Sequence, residues 1–119
     1  MLRIAAIVAT AWVAISHVGF LVLEMFFWDK PLGLRVFGHA PEFAKASKVL
    51  AANQGLYNGF LAAGLLWGLS RGAQGRPVVM FFLGCVIVAG AFGAMTASGR
   101  ILWIQALPAV IALALIRAA

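Results

Sequence analysis

The chain is short of the groups that define most soluble enzymes. It has one cysteine, one tyrosine, two histidines and only three acidic residues, and charged side chains make up 10% of its 119 residues. A lone cysteine, Cys85, closes no internal disulfide, and neither CxxC nor Cys/His zinc spacing occurs, so no metal site and no cofactor is expected. No nucleophile-plus-base motif is present either, which argues against an enzyme. What replaces polarity is grease. The apolar fraction is 65% and the mean hydropathy +1.05, against roughly half apolar and a quarter charged in soluble domains. So little polar surface cannot cover a water-facing exterior, and the alternative solvent is the bilayer. The net charge of +6 does not point to nucleic acid, because Lys and Arg sit at segment ends and in loops, where they meet anionic headgroups.

A spanning helix needs roughly 20 apolar residues. Four segments qualify or nearly so, at about residues 4–28, 49–69, 78–98 and 101–116. None shows the period-2 alternation of a barrel strand, and in lipid only helices or closed barrels satisfy their backbone. The expectation is an all-α, integral membrane four-helix bundle: one domain over residues 1–119, four transmembrane helices, both termini on the same side. The first apolar run continues past Trp12 to Trp28, too long for a typical signal segment, and reads as a retained span. "DKPLG", residues 29–33, reads as a turn. Pro41 suits a first helical turn and Glu42 the positive end of the helix, so the second helix is expected from Pro41 to Ser70. "SGR", residues 98–100, makes the last two spans antiparallel neighbours. Pro108 is expected to kink the fourth. Small residues at four-residue spacing, Gly55/Gly59, Gly64/Gly68 and Gly90/Ala94, mark close helix contacts. Trp28, Trp67 and Trp103 lie at interfacial depths, and Trp12 reads as a packing residue. Lys and Arg divide almost evenly between the two sides, with a lean to cytoplasmic termini, in a multi-pass protein of the inner (cytoplasmic) membrane. The near tie also leaves an antiparallel homodimer open.

The stretch "HVGFLVLEMFFW", residues 17–28, places a histidine and a carboxylate in an apolar helix. Seven residues turn a helix by about 700°, so His17 and Glu24 share a face with Thr10. The second span brings Asn53, Gln54, Tyr57 and Asn58 to matched depths, and the fourth begins with Arg100 and Gln105. An ionisable group inside a membrane is costly and marks a functional site by default. Glu24 must keep a proton or meet a cation, and Arg100 is the nearest partner on this topology. The expected site is therefore a polar intramembrane pocket of His17, Glu24, Asn53, Gln54, Tyr57, Asn58, Arg100 and Gln105. Bland readings stand beside it: an interfacial Glu24, a structural His17 bonded to Asn58, and amides that glue helices together.

Two strings carry a resemblance: "LEMFFWDKPLGLRVFG", residues 23–38, and "PEFAKASKVLAANQGLYNGFLAAGLLWGL", residues 41–69. They closely resemble a bacterial family of small four-helix membrane proteins, domain of unknown function thirteen-oh-four. The likeness is strongest at Glu24 to Trp28, Phe37-Gly38, Pro41-Glu42-Phe43 and Ala52 to Leu61. The resemblance implies a four-span inner-membrane protein and supplies no activity. One departure is Ala40, where members of that family often carry a Ser or Thr helix cap. Three functional classes follow. The first is binding or transport of a small molecule or ion in the polar pocket. The second is a structural or assembly subunit whose glycine faces bind another membrane protein. The third is an enzyme or redox protein acting on a lipid-soluble substrate.

Overall fold

A computed structural model describes residues 1–119. The chain is all-α and contains no strand. Its helices are α1 (Leu2–Phe26), α2 (Pro31–Phe37), α3 (Pro41–Ser70), α4 (Arg76–Thr96) and α5 (Leu107–Ala118); a 3-10 turn at Gly72–Gly75 precedes α4 and a π turn at Leu102–Ala106 leads into α5. Two stretches, Leu2–Phe26 and Gly72–Thr96, are long and apolar enough to cross a membrane, and Leu102–Ala118 is apolar but shorter. At 30 residues α3 is the longest helix, but its polar cluster dilutes its apolarity.

The helices group into two compact units, residues 1–15 with 61–119, and residues 16–60. In the first, Val13, Ala14, Leu65, Val79, Leu83, Val86, Ala109 and Ala112 form a buried core. The ends of α4 and α5 meet where the Arg76 guanidinium donates to the Arg117 carbonyl at 3.1 Å, which is the antiparallel pairing expected of the "SGR" connection. Gly90 permits the close approach: a Cβ there would stand 2.8 Å from the backbone nitrogen of Ala106. Pro108 does perturb its helix, but one turn earlier than its own position, as the π turn at Leu102–Ala106, whose closing bond runs from the Leu107 N–H to the Leu102 carbonyl. Shifting to i→i+5 bonding is one way a helix absorbs the donor that proline lacks.

In the second unit, the end of α1 lies against the first part of α3, and α2 caps the pair. Of the segment read as a turn at 29–33, Asp29 and Lys30 do turn the chain, and Pro31 already begins α2. Pro31 takes the first helical position, where its missing N–H is no loss, and the helix stops at Gly38, which adopts the left-handed φ of 70°. Gly33 is buried beneath the Phe27 and Trp28 carbonyls, where any Cβ would overlap backbone. α3 begins where Pro41 and Glu42 place it and ends at Ser70, as expected. A ring cluster closes this end: Trp28 packs on Phe37 at 4.8 Å and on His39 at 5.1 Å, and His39 on Phe43 at 4.7 Å. The Trp28 indole N–H donates to Ser47 Oγ at 3.1 Å, and Ser47 donates on to the Phe43 carbonyl. Lys48 and Asp29 form an ion pair at 3.3 Å.

Burial departs from the pattern of a water-soluble protein, with many large apolar side chains outside. Most of the buried apolar residues are alanines, and the buried polar residues are Thr10, His17 and Glu24. The large side chains of α1, including Ile4, Val8, Trp12, Ile15, Val18 and Val22, are exposed. Trp12, expected to pack, is 61% exposed and borders an open apolar groove with Val8, Ala9, Leu107, Pro108 and Ile111.

Candidate functional site: a buried carboxylate between two amides

On α1 the heptad-spaced residues Thr10, His17 and Glu24 are all buried, so the helix turns its one polar stripe inward. That stripe extends about 21 Å along the axis, at 1.5 Å per residue. The Thr10 hydroxyl has no hydrogen-bond partner. His17 stands edge-on to Phe20, with ring centroids 5.1 Å apart.

Glu24 is 3% exposed, and both its oxygens accept from α3. Gln54 Nε2 donates to one, and Asn58 Nδ2 donates to the other at 2.5 Å. The two donors are four residues apart, one helical turn, so their side chains rise from the same face of α3 as a fork. What lets the helices approach is the glycine between them. A Cβ on Gly55 would stand 2.8 Å from Met25 Cγ, 3.0 Å from Glu24 Cβ and 3.2 Å from the Leu21 carbonyl. Gly59 lies one turn on, against Leu21. The Gly55/Gly59 pair is thus the groove into which α1 fits, and Gln54 and Asn58 are its polar rim.

Of the other expected site residues, Asn53 is exposed, and Tyr57 is 58% exposed with its ring edge-on to Phe60. Arg100 and Gln105 belong to the other unit. Arg100 is exposed, and its backbone N–H turns to Ser98 Oγ at 3.3 Å; Gln105 is half-buried in the π turn. Two open grooves, of about 390 and 740 Å³, are lined by apolar residues, the larger by Met80, Phe81, Val88 and Phe92 among others, and neither includes a member of the polar cluster. Just outside the helix pair, partial burial pushes the Asp29 carboxyl up. The hydrogen bond and charge of Lys48, with a backbone hydrogen bond and the Lys30 charge, outweigh that and hold it below the ordinary aspartate value.

Residues 11–117 match the family described as "Protein of unknown function (DUF1304)". The chain belongs to this family. Among curated proteins it is similar to the uncharacterized protein YpaA of Lactococcus lactis subsp. lactis (strain IL1403), with 28% identity over 114 residues, covering 94% of this chain and 96% of that one. No solved structure matches. The membership spans the whole of the Glu24 fork, and neither description names an activity.

Proposed function

We propose that this DUF1304 protein is a small multi-pass protein of the inner membrane, with four spans and cytoplasmic termini, whose Glu24 fork binds a proton or a small cationic group and supports its movement. The observation that carries the proposal is a carboxyl 3% exposed, on an otherwise lipid-like helix, whose two oxygens both accept from neutral amides. Amides supply hydrogen bonds but no charge. A carboxylate so placed still lacks a counter-charge, and in a low-dielectric interior a proton or a cation is what supplies it.

The small buried and large exposed apolar side chains support the spanning reading. Without water there is no hydrophobic force between helices, so small residues bring backbones together while large apolar side chains face acyl chains. Polar groups then turn inward. α3 completes a span by satisfying two of its three amides, Gln54 and Asn58, on Glu24. The α1 stripe of Thr10, His17 and Glu24 repeats donor–acceptor groups at about 10.5 Å intervals along one helix, so movement of a proton along it needs water in the gaps.

One observation favours a second reading. Gln54 and Asn58 satisfy Glu24 so directly that the three form an interhelical clasp with no ligand at all, as in an assembly subunit. Purified protein in liposomes loaded with a pH-sensitive dye separates the two. Wild type should dissipate an imposed pH gradient, and Glu24→Gln should abolish that flux while folding normally. No flux from wild type, together with a lowered melting temperature for Glu24→Gln, would leave the clasp as the whole function.

A further inference from the structure

The residues of α3 that turn away from Glu24 form a second pattern. Ala46, Val49, Asn53, Leu56 and Phe60 follow each other at alternating spacings of three and four residues, and all five are exposed. Ala63 and Trp67 continue the same spacing along the helix, also exposed. That is an a/d heptad seam, and Asn53 occupies an a position within it, flanked by Leu50 and Tyr57 at e positions.

A seam of this kind facing lipid needs no partner where it is aliphatic. Asn53 is different. It lies five residues beyond Lys48, whose ion pair with Asp29 marks the end of the helix pair, and so about 7.5 Å deeper along the axis. An amide at that depth has neither water nor lipid to bond. A second amide of the same kind satisfies it well, since each carboxamide is both donor and acceptor. A single asparagine at an a position is the device by which two-stranded helices fix register and partner number.

We propose that the exposed face of α3 binds a second copy of this chain in a parallel, two-fold dimer, with the two Asn53 amides hydrogen-bonded to each other across the seam. The parallel sense follows from depth. Asn53 lies six residues from the middle of the 49–69 segment, so an antiparallel pair would hold the amides about 18 Å apart along the axis. The two copies therefore share one orientation in the membrane. The Glu24 fork is on the opposite face of α3 and is not consumed by the interface, so a dimer carries two independent forks. The inference rests on the spanning reading of α3 but on no ligand.

The test uses the full chain in native membranes with Cys85→Ser as background. Single cysteines are introduced as Val49→Cys and Leu56→Cys on the seam and as Val88→Cys on the exposed face of α4. Copper-phenanthroline oxidation should give disulfide-linked dimers from the two seam positions and little from the control. Asn53→Val should lower the dimer association constant about threefold to thirtyfold, the range for one interhelical amide pair, and Asn53→Gln should retain it. Seam cysteines that crosslink no better than Val88→Cys, while shielded from an impermeant maleimide, would overturn the dimer and leave the span standing. Seam cysteines freely labelled by that maleimide would overturn the span itself, and the dimer with it.

Discussion

The amide of Asn58 reaches the carboxyl of Glu24 across 34 residues of sequence and 2.5 Å of space. One helical turn away Gln54 does the same to the other oxygen, and together they tie the end of α1 to the first half of α3. Replacing Asn58 with leucine leaves a buried carboxyl oxygen without its donor, at a cost of about 1–3 kcal/mol. Thermal unfolding in detergent should show the loss for Asn58→Leu, and Glu24→Leu in the same background should recover part of it, because both polar partners are then gone. Strictly additive losses would mean the two residues do not act on each other.

Gly55 is the second hinge of that contact. Gly55→Val places a branched side chain against Met25 and the Leu21 carbonyl, so α1 and α3 must separate. The expected loss is about 1–3 kcal/mol, the usual cost of overpacking. Gly19, with nothing within 4 Å of its would-be Cβ, is the matched control, and Gly19→Val should unfold within about 1 kcal/mol of wild type, the cost of a β-branched residue in a helix being small. Equal effects at the two positions would contradict the close approach.

The Trp28–Ser47 hydrogen bond anchors the ring cluster to α3. Trp28→Phe keeps the ring and deletes the donor, for about 0.5–1.5 kcal/mol. Trp28→Ala also removes the packing on Phe37 and His39 and should cost about twofold more or beyond, in line with large aromatic truncations. Tryptophan fluorescence in detergent, followed through a denaturant titration, reports both losses, and equal midpoints for Trp28→Phe and wild type would remove the hydrogen bond from the picture.

Asp29 gives a pH dependence with a definite sign. The folded chain holds its carboxyl below the ordinary value, so its pairing with Lys48 stabilises the fold above about pH 4, the unfolded aspartate value, and is lost as the pH falls through the lower folded value. The pair is solvent-facing, so the effect is small. Melting curves of wild type and Asp29→Asn should differ slightly near neutral pH and converge in acid. A gap that stays constant into acid would assign the difference to something other than the charge.

Much of this was legible in the residues, for stated reasons. Pro41 followed by Glu42 fixes a helix start, and α3 begins there. The seven-residue interval from His17 to Glu24 fixes a common face, and both are buried. The Gly55/Gly59 spacing announces a close contact, and α1 fills it. Other features depend on neighbours that periodicity cannot see. Pro31 suits a turn and a helix start alike, and what decides for α2 is Gly33 lying under the Phe27 carbonyl. Asn53, Gln54, Tyr57 and Asn58 cover too wide an arc for one face; Gln54 and Asn58 turn to Glu24, and Asn53 and Tyr57 turn out. Trp12 has apolar residues around it on the helix except Ser16 one turn on, too little to distinguish an outward ring from a packed one. The π turn has a sequence cause in Pro108, but a proline alone does not say which helical adjustment absorbs it.

The most direct measurement is carbodiimide labelling of the protein in native membranes, followed by peptide mass spectrometry. Hydrophobic carbodiimides react with protonated carboxyls that sit within the apolar phase. Among the chain's three acidic residues, the expected adduct is on Glu24, slowed at alkaline pH and absent in Glu24→Gln, with Asp29 and Glu42 unmodified. Labelling confined to Asp29 or Glu42, or an unreactive Glu24 at every pH, would contradict an intramembrane carboxyl poised to hold a proton.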